Sequence, residues 1–275
     1  MVGANATGIS GEQKNSWTLI TVTYNSRSDL ERFWNPEKVS TGGFNWIVVD
    51  NNSHDGSAEC ARELGASVIK LPENRGFGAA NNVGFREAND QYIGFVNPDV
   101  NVASKTLPRL LKLADTGVLI APQLLSVDGV AQPNGRGRAR LSWKLGNRLN
   151  AKRYMGTYLR TAGPEQVLEV DWVMGAVVLG RRDTWQKLTT GPGPWDEAYF
   201  VYYEDSDLGE RCKASEVRCV LDGTSRWIHG WARETTMPKL KPWILEFRSM
   251  RVFYGRYPSL LMPRSPSRLD SGRIR

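Results

Sequence analysis

The sequence predicts an α/β protein with a mostly parallel central sheet covered by helices on both faces. Three observations predict it. Short β-branched apolar runs alternate with helix-like stretches at the spacing of βαβ units, and polar residues collect where those runs end. The 275 residues, 40% of them hydrophobic, are also enough to bury a core without disulfide or metal staples.

The elements follow in order. Residues 1–16 are small and polar and read as a disordered lead-in. The run from Trp17 to Thr23 is a first strand that stops at the turn cluster Tyr24-Asn25-Ser26, and a helix runs from Ser28 to Trp34. Phe44 to Asp50 is a second strand, followed by the polar loop from Asn51 and a helix from Ser57 to Leu64. A third strand, Ser67 to Leu71, leads through Pro72–Gly78 into a helix ending near Asn89, and then into the strand Tyr92 to Val96. In parallel sheets the ligand sits at the C-terminal strand ends, which here carry Thr23 and Asn25, Asp50 and Asn51, and Asn97-Pro98-Asp99.

Farther along, Pro133 to Arg160 holds Arg136, Arg138, Arg140, Lys144, Arg148, Lys152, Arg153 and Arg160 with no acid among them, which predicts a mobile loop and then a basic helix. Glu169 to Leu179 reads as one strand. Residues 195–212 pass from an aromatic run into an acidic helix that Ser206 or Asp207 can cap, since amide dipoles favour carboxylates in a first turn. A strand at Val217–Leu221 precedes Trp227-Ile228-His229.

Composition narrows the classes. The net charge of +7 resides in residues 231–275, which hold ten Lys/Arg and three Asp/Glu, while the rest of the chain is neutral. A basic tail on a neutral body argues for a local anionic contact and against a nucleic-acid coat. Cys60, Cys212 and Cys219 lack CxxC spacing, so neither a disulfide framework nor a zinc site is expected. No apolar run nears the ~20 residues a membrane span needs, and the N-terminus lacks a signal-peptide pattern, which points to the cytoplasm. Gly76-Phe77-Gly78-Ala79-Ala80-Asn81 is not GxGxxG and no GxxxxGK[ST] occurs, which disfavours dinucleotide and P-loop chemistry.

Three sites carry candidate chemistry. Asp99 behind Pro98 is presented rigidly for a hard divalent cation, or simply caps its turn. Glu204-Asp205 after an aromatic wall offers a general base, or an N-cap pair. His229 between Trp227 and Trp231 is a ligand or a buried structural histidine. His54 reads as exposed.

Taken together, Val49-Asp50-Asn51-Asn52-Ser53-His54-Asp55-Gly56-Ser57, Glu73-Asn74-Arg75-Gly76-Phe77-Gly78 with Asn82, Asn97-Pro98-Asp99-Val100, Tyr203-Glu204-Asp205-Ser206-Asp207-Leu208 and Ile228-His229 resemble the family 2 glycosyltransferases, most nearly their bacterial rhamnosyltransferase-like branch. The resemblance spans about residues 17 to 260. It implies the GT-A fold, with a donor-binding half (17–130), an acceptor-binding half (131–237) and a C-terminal extension (238–275). It implies that Thr23, Asn25, Asp50 and Asn51 hold the nucleoside, that Arg75 and Asn82 close over base and diphosphate, and that Asn97 replaces the first carboxylate of an Asp-any-Asp metal motif. Asp99 and His229 would then hold Mg²⁺ or Mn²⁺, Asp205 would be the base and Glu204 its support for acceptor hydroxyls. Trp172 and Gly175 fall in a substrate-binding block, where Met174 replaces the usual small hydroxyl residue and narrows the sugar pocket.

The resulting expectation is an inverting, metal-dependent transfer of a sugar, with rhamnose the sugar the branch suggests, in cell-envelope polysaccharide synthesis. The donor is a dTDP- or UDP-sugar and the acceptor a saccharide linked to polyprenyl diphosphate, with no nucleic-acid partner. Two other classes stand beside it, a nucleotidyltransferase and a non-catalytic nucleotide-sugar-binding module. The former wants a basic glycine-rich loop where Tyr24-Asn25-Ser26-Arg27 stands, and the latter has no need of Asp99, Asp205 and His229. The segment 238–262 interleaves aromatic and basic residues, and either lies on an anionic membrane surface at the cytoplasmic face or packs on the domain.

Overall fold

The computed structural model describes residues 16–148, 157–230 and 240–262. Strand β1 (Trp17–Thr23) runs parallel to β2 (Phe44–Asp50) on one side and to β4 (Tyr92–Val96) on the other, and β3 (Ser67–Lys70) continues the parallel set beyond β2. Beyond β4 come β11 (Val177–Arg181), β6 (Leu119–Leu125), β12 (Cys219–His229) and the short β5 (Val100–Asn101), giving the order β3-β2-β1-β4-β11-β6-β12-β5. Strand β11 is antiparallel to both neighbours, whereas β6 and β12 are parallel to each other.

Period-2 alternation splits the core into two layers. Leu19, Val96, Ile120 and Leu179 face the layer formed with α1 (Arg27–Phe33), α3 (Ser57–Glu63) and α5 (Leu107–Ala114). Ile20, Phe95, Leu119 and Val178 face α4 (Phe77–Glu87), α7 (Arg182–Lys187) and α8 (Glu204–Ala214). The expected α/β architecture, helices on both faces, is therefore present. A third cluster, with Trp143, Tyr158, Trp172, Tyr203, Phe253 and Tyr254, joins α6 (Leu141–Arg148) and α9 (Leu240–Arg256) to the start of α8.

Several elements differ from the sequence reading. The single strand expected over 169–179 is three: β9 (Val167–Val170) pairs with the start of β12, β10 (Trp172–Val173) joins a small second sheet, and β11 begins after a break at Met174-Gly175. The partner strands in that small sheet are β7 (Gly135–Arg136) and β8 (Leu159–Arg160). The described part of the basic stretch is thus built into the body and is no loose loop. Arg138 forks onto Glu210 at 3.0 and 2.9 Å, and Arg136 lies buried 5.9 Å from the ring centres of Tyr158 and Trp172. Lys152 and Arg153, like residues 1–15 and 231–239, lie outside the described residues.

Strand β6 escapes sequence reading because Pro122 interrupts it, and proline within a run argues against a central strand. It is tolerated because Pro122 pairs with Asp222 where β12 shifts register between Asp222 and Arg226. Asp222 holds that bulge together. Its buried carboxylate accepts Arg109 through two bonds of 2.9 and 3.0 Å and the backbone N–H groups of Thr224 and Ser225. Burial pushes the Asp222 pKa up, but these donors outweigh it and the net direction is down.

In the C-terminal extension, Phe253 and Tyr254 at the end of α9 are buried in the third cluster, while Trp243, Ile244 and Phe247 in its first turns are exposed. One end of the helix packs on the domain and the other presents an apolar face.

Candidate active site

The strand order puts Asp50, Thr23, Asn97-Pro98-Asp99 and Gly175-Ala176 along one rim of the sheet, at the C-terminal ends of the parallel strands. Three hydrogen bonds from separate elements fix the 97–99 loop. Asn97 N–H donates to Ala176 O at 2.8 Å, the Trp34 indole to Pro98 O at 3.0 Å, and Gly230 N–H to Asp99 O at 2.8 Å. The last of these ties the loop to the end of β12, so His229 arrives beside it. His229 Nε2 lies 3.3 Å from Asp99 Oδ2.

The histidine's other nitrogen is held by Gln132. Gln132 Nε2 donates to His229 O at 3.1 Å, which turns its Oε1 toward His229 Nδ1 at 2.8 Å. An amide oxygen only accepts, so this network assigns the ring proton to Nδ1 and leaves the Nε2 lone pair facing the Asp99 carboxylate. Two electron-rich atoms at that distance call for a positive occupant between them, a proton or a cation. A carboxylate oxygen and an imidazole nitrogen suit Mg²⁺ or Mn²⁺, and two protein ligands leave positions for diphosphate oxygens and water. Among the described residues no cluster of three or more His, Cys, Asp or Glu forms a cage of protein ligands alone.

On the other side of Ala176, Gly175 N–H points at Asp205 Oδ2, 3.4 Å away. Asp205 Oδ1 is engaged by Ser206, through its N–H at 2.7 Å and its hydroxyl at 3.3 Å. One oxygen is therefore pinned, and the other keeps a single long bond. Residues 175 and 176 thus link the base candidate to the Asp99 loop. The helix carrying Asp205 starts abruptly: Tyr202 and Tyr203 both have positive φ (68° and 70°), and the first helical residue is Glu204, two positions before the expected Ser206 cap. Such backbone is costly for aromatic residues and is held here by the packing of Tyr203 on Phe253 and Tyr254.

Glu204 is buried, and its Oε2 has no hydrogen-bond partner among the described residues. Burial, then the neighbouring Asp205 charge, pushes its carboxyl up to about 8. Close by, Lys144 Nζ donates to Ser206 Oγ at 3.1 Å and sits 3.5 Å from the Tyr203 ring centre. Burial pushes that ammonium down to about 8, against the pull of Asp205, Glu246 and Glu204. Burial thus favours the protonated carboxyl at Glu204 and lowers, without abolishing, the basicity of Lys144 beside it.

At the donor end, Thr23 Oγ1 donates to Asp50 Oδ1 at 3.2 Å, and Ser53 N–H donates to Asp50 Oδ2 at 3.3 Å. Both side chains are closed from solvent, and the two neighbouring loops are clasped over them. Asn25 N–H donates to Ser53 Oγ, His54 N–H to Asn25 Oδ1 and Arg27 N–H to Asp55 Oδ2, each at 2.9 Å. Asn25, in the left-handed region at φ 53°, is exposed on that clasp, as is His54. A base reaching Asp50 has to open it.

Three of the expected ligands also hold neighbouring loops. Buried Asn51 donates to Asn74 Oδ1 and Gly76 O and accepts from Arg75 N–H, so it shapes the 74–76 loop. Buried Asn82 donates to Trp195 O and Glu197 Oε1 and accepts from Trp195 N–H, so it holds the 195–197 loop. Trp172 donates to Gly137 O from inside the third cluster. Arg75, by contrast, stands exposed at the rim, 3.7 Å from Glu197. Gly76 has a backbone need: φ is +86°, and a Cβ there would lie 2.4 Å from Phe200 O.

A larger hollow of about 890 Å³ lies at the opposite end of the strands, near Thr18, Asn45 and Asp90. Its one well-placed carboxylate, Asp90, is occupied by Ser16, Thr18 and Asn45, and the hollow lacks convergent chemistry.

With this geometry described, comparison with known proteins decides the family. Residues 18–168 match the profile of glycosyl transferase family 2. This chain belongs to that family. The glycosyltransferase is 27% identical over 240 residues to the N-acetylglucosaminyl-diphospho-decaprenol L-rhamnosyltransferase of Mycobacterium tuberculosis, covering 79% of this chain and 76% of that one. It is 22% identical to a low-salt glycan biosynthesis hexosyltransferase of Haloferax volcanii, over 73% of this chain and 62% of the relative. Its fold is GT-A. It matches GalNAc-T7 with UDP, GalNAc and Mn²⁺ at a TM-score of 0.57 and 15% identity, over 88% of this chain and 51% of the larger one. It also matches the mannosyltransferase PcManGT of Pyrobaculum calidifontis, with GDP-Man and Mn²⁺, at a TM-score of 0.55 and 16% identity, over 91% and 65%.

Sequence reading missed Gln132, Lys144 and Glu197 as site residues. Gln132 lies 97 positions from His229 in an unremarked turn, and no local pattern marks it.

Proposed function

We propose that this glycosyltransferase moves a sugar from a nucleoside diphosphate to a hydroxyl of a lipid-linked saccharide, with inversion, assisted by a divalent cation. The observation that carries the reading is the pairing of two polar centres across Gly175-Ala176: Asp99 with a tautomer-fixed His229 on one side, and the half-engaged Asp205 on the other. Mg²⁺ or Mn²⁺ held by Asp99 and His229, with Asn97 beside them, would neutralise the leaving diphosphate. Asp205 Oδ2 takes the proton of the attacking hydroxyl, while the Ser206 contacts hold the carboxylate in place. Thr23, Asn25 and Asp50 are assigned to the nucleoside and Arg75 to the diphosphate side. Glu204, where burial favours the protonated carboxyl, is assigned to donate to an acceptor oxygen from Oε2, which has no hydrogen-bond partner among the described residues.

Rhamnose as the sugar and a polyprenyl-diphosphate acceptor are supported by the name of the mycobacterial relative, and a nucleoside-diphosphate donor, which we assign as a dTDP- or UDP-sugar, by the UDP and GDP-Man bound in the similar structures. No helix among the described residues is long and apolar enough to cross a membrane. We place the protein at the cytoplasmic face of an anionic membrane, met by Trp243, Ile244 and Phe247 with Arg248 and Arg251 beside them. The test is a screen of nucleotide sugars for Mn²⁺-stimulated release of nucleoside diphosphate by the purified protein. Release from one donor, lost on chelation, supports the reading, and no release from any donor would refute it.

A further inference from the structure

Between α6 and α9 runs a groove of about 270 Å³. At its inner end are Tyr158, Tyr203 and Lys144, and at its outer end Leu145, Trp243 and Phe247. The inner aromatic residues are buried, whereas Trp243 and Phe247 are each 57% exposed. A second hollow, shared through Phe247, continues along α9 past Ile244 to Arg248 and Arg251. The apolar surface therefore does not end at the groove mouth. It leads to the basic, aromatic side of the helix.

The inner end lies next to the reaction chemistry. Tyr203 immediately precedes Glu204-Asp205, and Lys144 Nζ reaches Ser206 Oγ, the neighbour of the base. Lys144 and Glu246 are the charged residues of the lining, and the Lys144 cation is the one drawn inward toward α8. A channel that begins at a cation beside the base, is walled by Leu, Trp, Phe and Tyr, and opens on a membrane-facing helix fits an amphiphile with an anionic head and an apolar chain. A flat bilayer contact needs no such inner end, and a protein partner would not have to reach Asp205.

We propose that this groove binds the first isoprene units of the lipid-linked acceptor, with the acceptor's diphosphate at Lys144 and its sugar hydroxyl presented to Asp205. This rests on the acceptor class given under Proposed function and assigns that class a site. The chain beyond the groove passes over Phe247 and Ile244 into the lipid.

The test uses the full chain with UDP present and a benzophenone-bearing geranylgeranyl diphosphate as the probe. Irradiation and peptide mapping are expected to place the label within Leu141–Asn147 and Trp243–Met250. Geranylgeranyl diphosphate should compete at least tenfold better than geranylgeraniol or inorganic pyrophosphate. The double variant W243S/F247S changes exposed side chains and leaves the core intact, and it should weaken probe binding tenfold or more without altering UDP affinity. V127S/V130S, at exposed apolar positions in another loop, should change neither. Label elsewhere, equal competition by the alcohol, or undiminished binding by W243S/F247S would overturn the assignment. If UDP binds and the probe does not, the groove fails while the donor reading stands. If the probe binds in the groove and no nucleotide binds, the donor reading fails instead.

Discussion

Replacing Gln132 by leucine removes the group that sets the tautomer of His229 while keeping its bulk. The wild-type amide makes two bonds to that residue, 2.8 Å at Nδ1 and 3.1 Å at the carbonyl. His229 is 3% exposed, so losing these two bonds costs about 1–3 kcal/mol each, and Q132L should lose about 2–6 kcal/mol of stability. The larger consequence is chemical. Without an acceptor at Nδ1 the ring is free to carry its proton on Nε2, turned toward Asp99, where a metal ligand must have a lone pair. Loss of such an orienting partner typically weakens metal affinity about 10–100-fold. The assay is Mn²⁺ titration followed by electron paramagnetic resonance with saturating UDP or dTDP, with urea unfolding in parallel to confirm a folded variant. Gln132→Glu keeps an acceptor for Nδ1–H and should recover most of the lost affinity. A folded Q132L with the wild-type Mn²⁺ midpoint would refute the tautomer argument.

Three further outcomes follow from the same geometry. Asp205→Asn removes the proton acceptor but can keep the Ser206 contacts, so turnover should fall about 10²–10⁴-fold with nucleotide affinity unchanged by calorimetry; wild-type turnover would exclude Asp205 as the base. Because Glu204 holds its proton up to about 8 in the folded state, the native protein binds more protons than the unfolded chain above pH ~4.5, and stability falls as pH rises through that window. Each pH unit is worth at most about 1.4 kcal/mol; Glu204→Gln should flatten this slope in urea midpoints measured from pH 5 to 8, and an unchanged slope would contradict the assignment. Arg248→Gln with Arg251→Gln should weaken sedimentation with phosphatidylserine vesicles by about 2 kcal/mol, roughly thirtyfold, at low salt; equal binding would remove α9 from the membrane contact.

Short β-branched apolar runs make the first four strands legible, because β1, β2 and β4 are largely buried and each of the four ends in a turn-forming polar cluster. Asp99, Asp205 and His229 each stand at the boundary of a regular element, where neighbouring turn-forming or aromatic residues mark them in the sequence; that the end of β12 brings the buried His229 against Asp99 is not readable locally. The elements between 100 and 125 were not legible. Pro122 forbids a central strand unless the partner bulges, and that bulge depends on Asp222, a hundred positions later, and on its clamp by Arg109. Asn51 and Asn82 show the converse limit. Their position in a donor-site motif suggests ligands, but the loops they hold are set by contacts such as Asn82 to Trp195, 113 residues apart, which no local pattern reveals. In the basic stretch the helix is legible and present as α6, whereas the loose loop expected before it is not found, because charge unpaired in sequence is paired in space, as in the Arg138–Glu210 fork.

The proposed reaction is a single displacement assisted by Asp205 on the face opposite the leaving diphosphate. Proton NMR of the product in its first turnovers, begun from a donor of known anomeric configuration, tests it most directly. Inverted configuration at the anomeric carbon is the expected result. Retained configuration would require a second nucleophilic step and would contradict it.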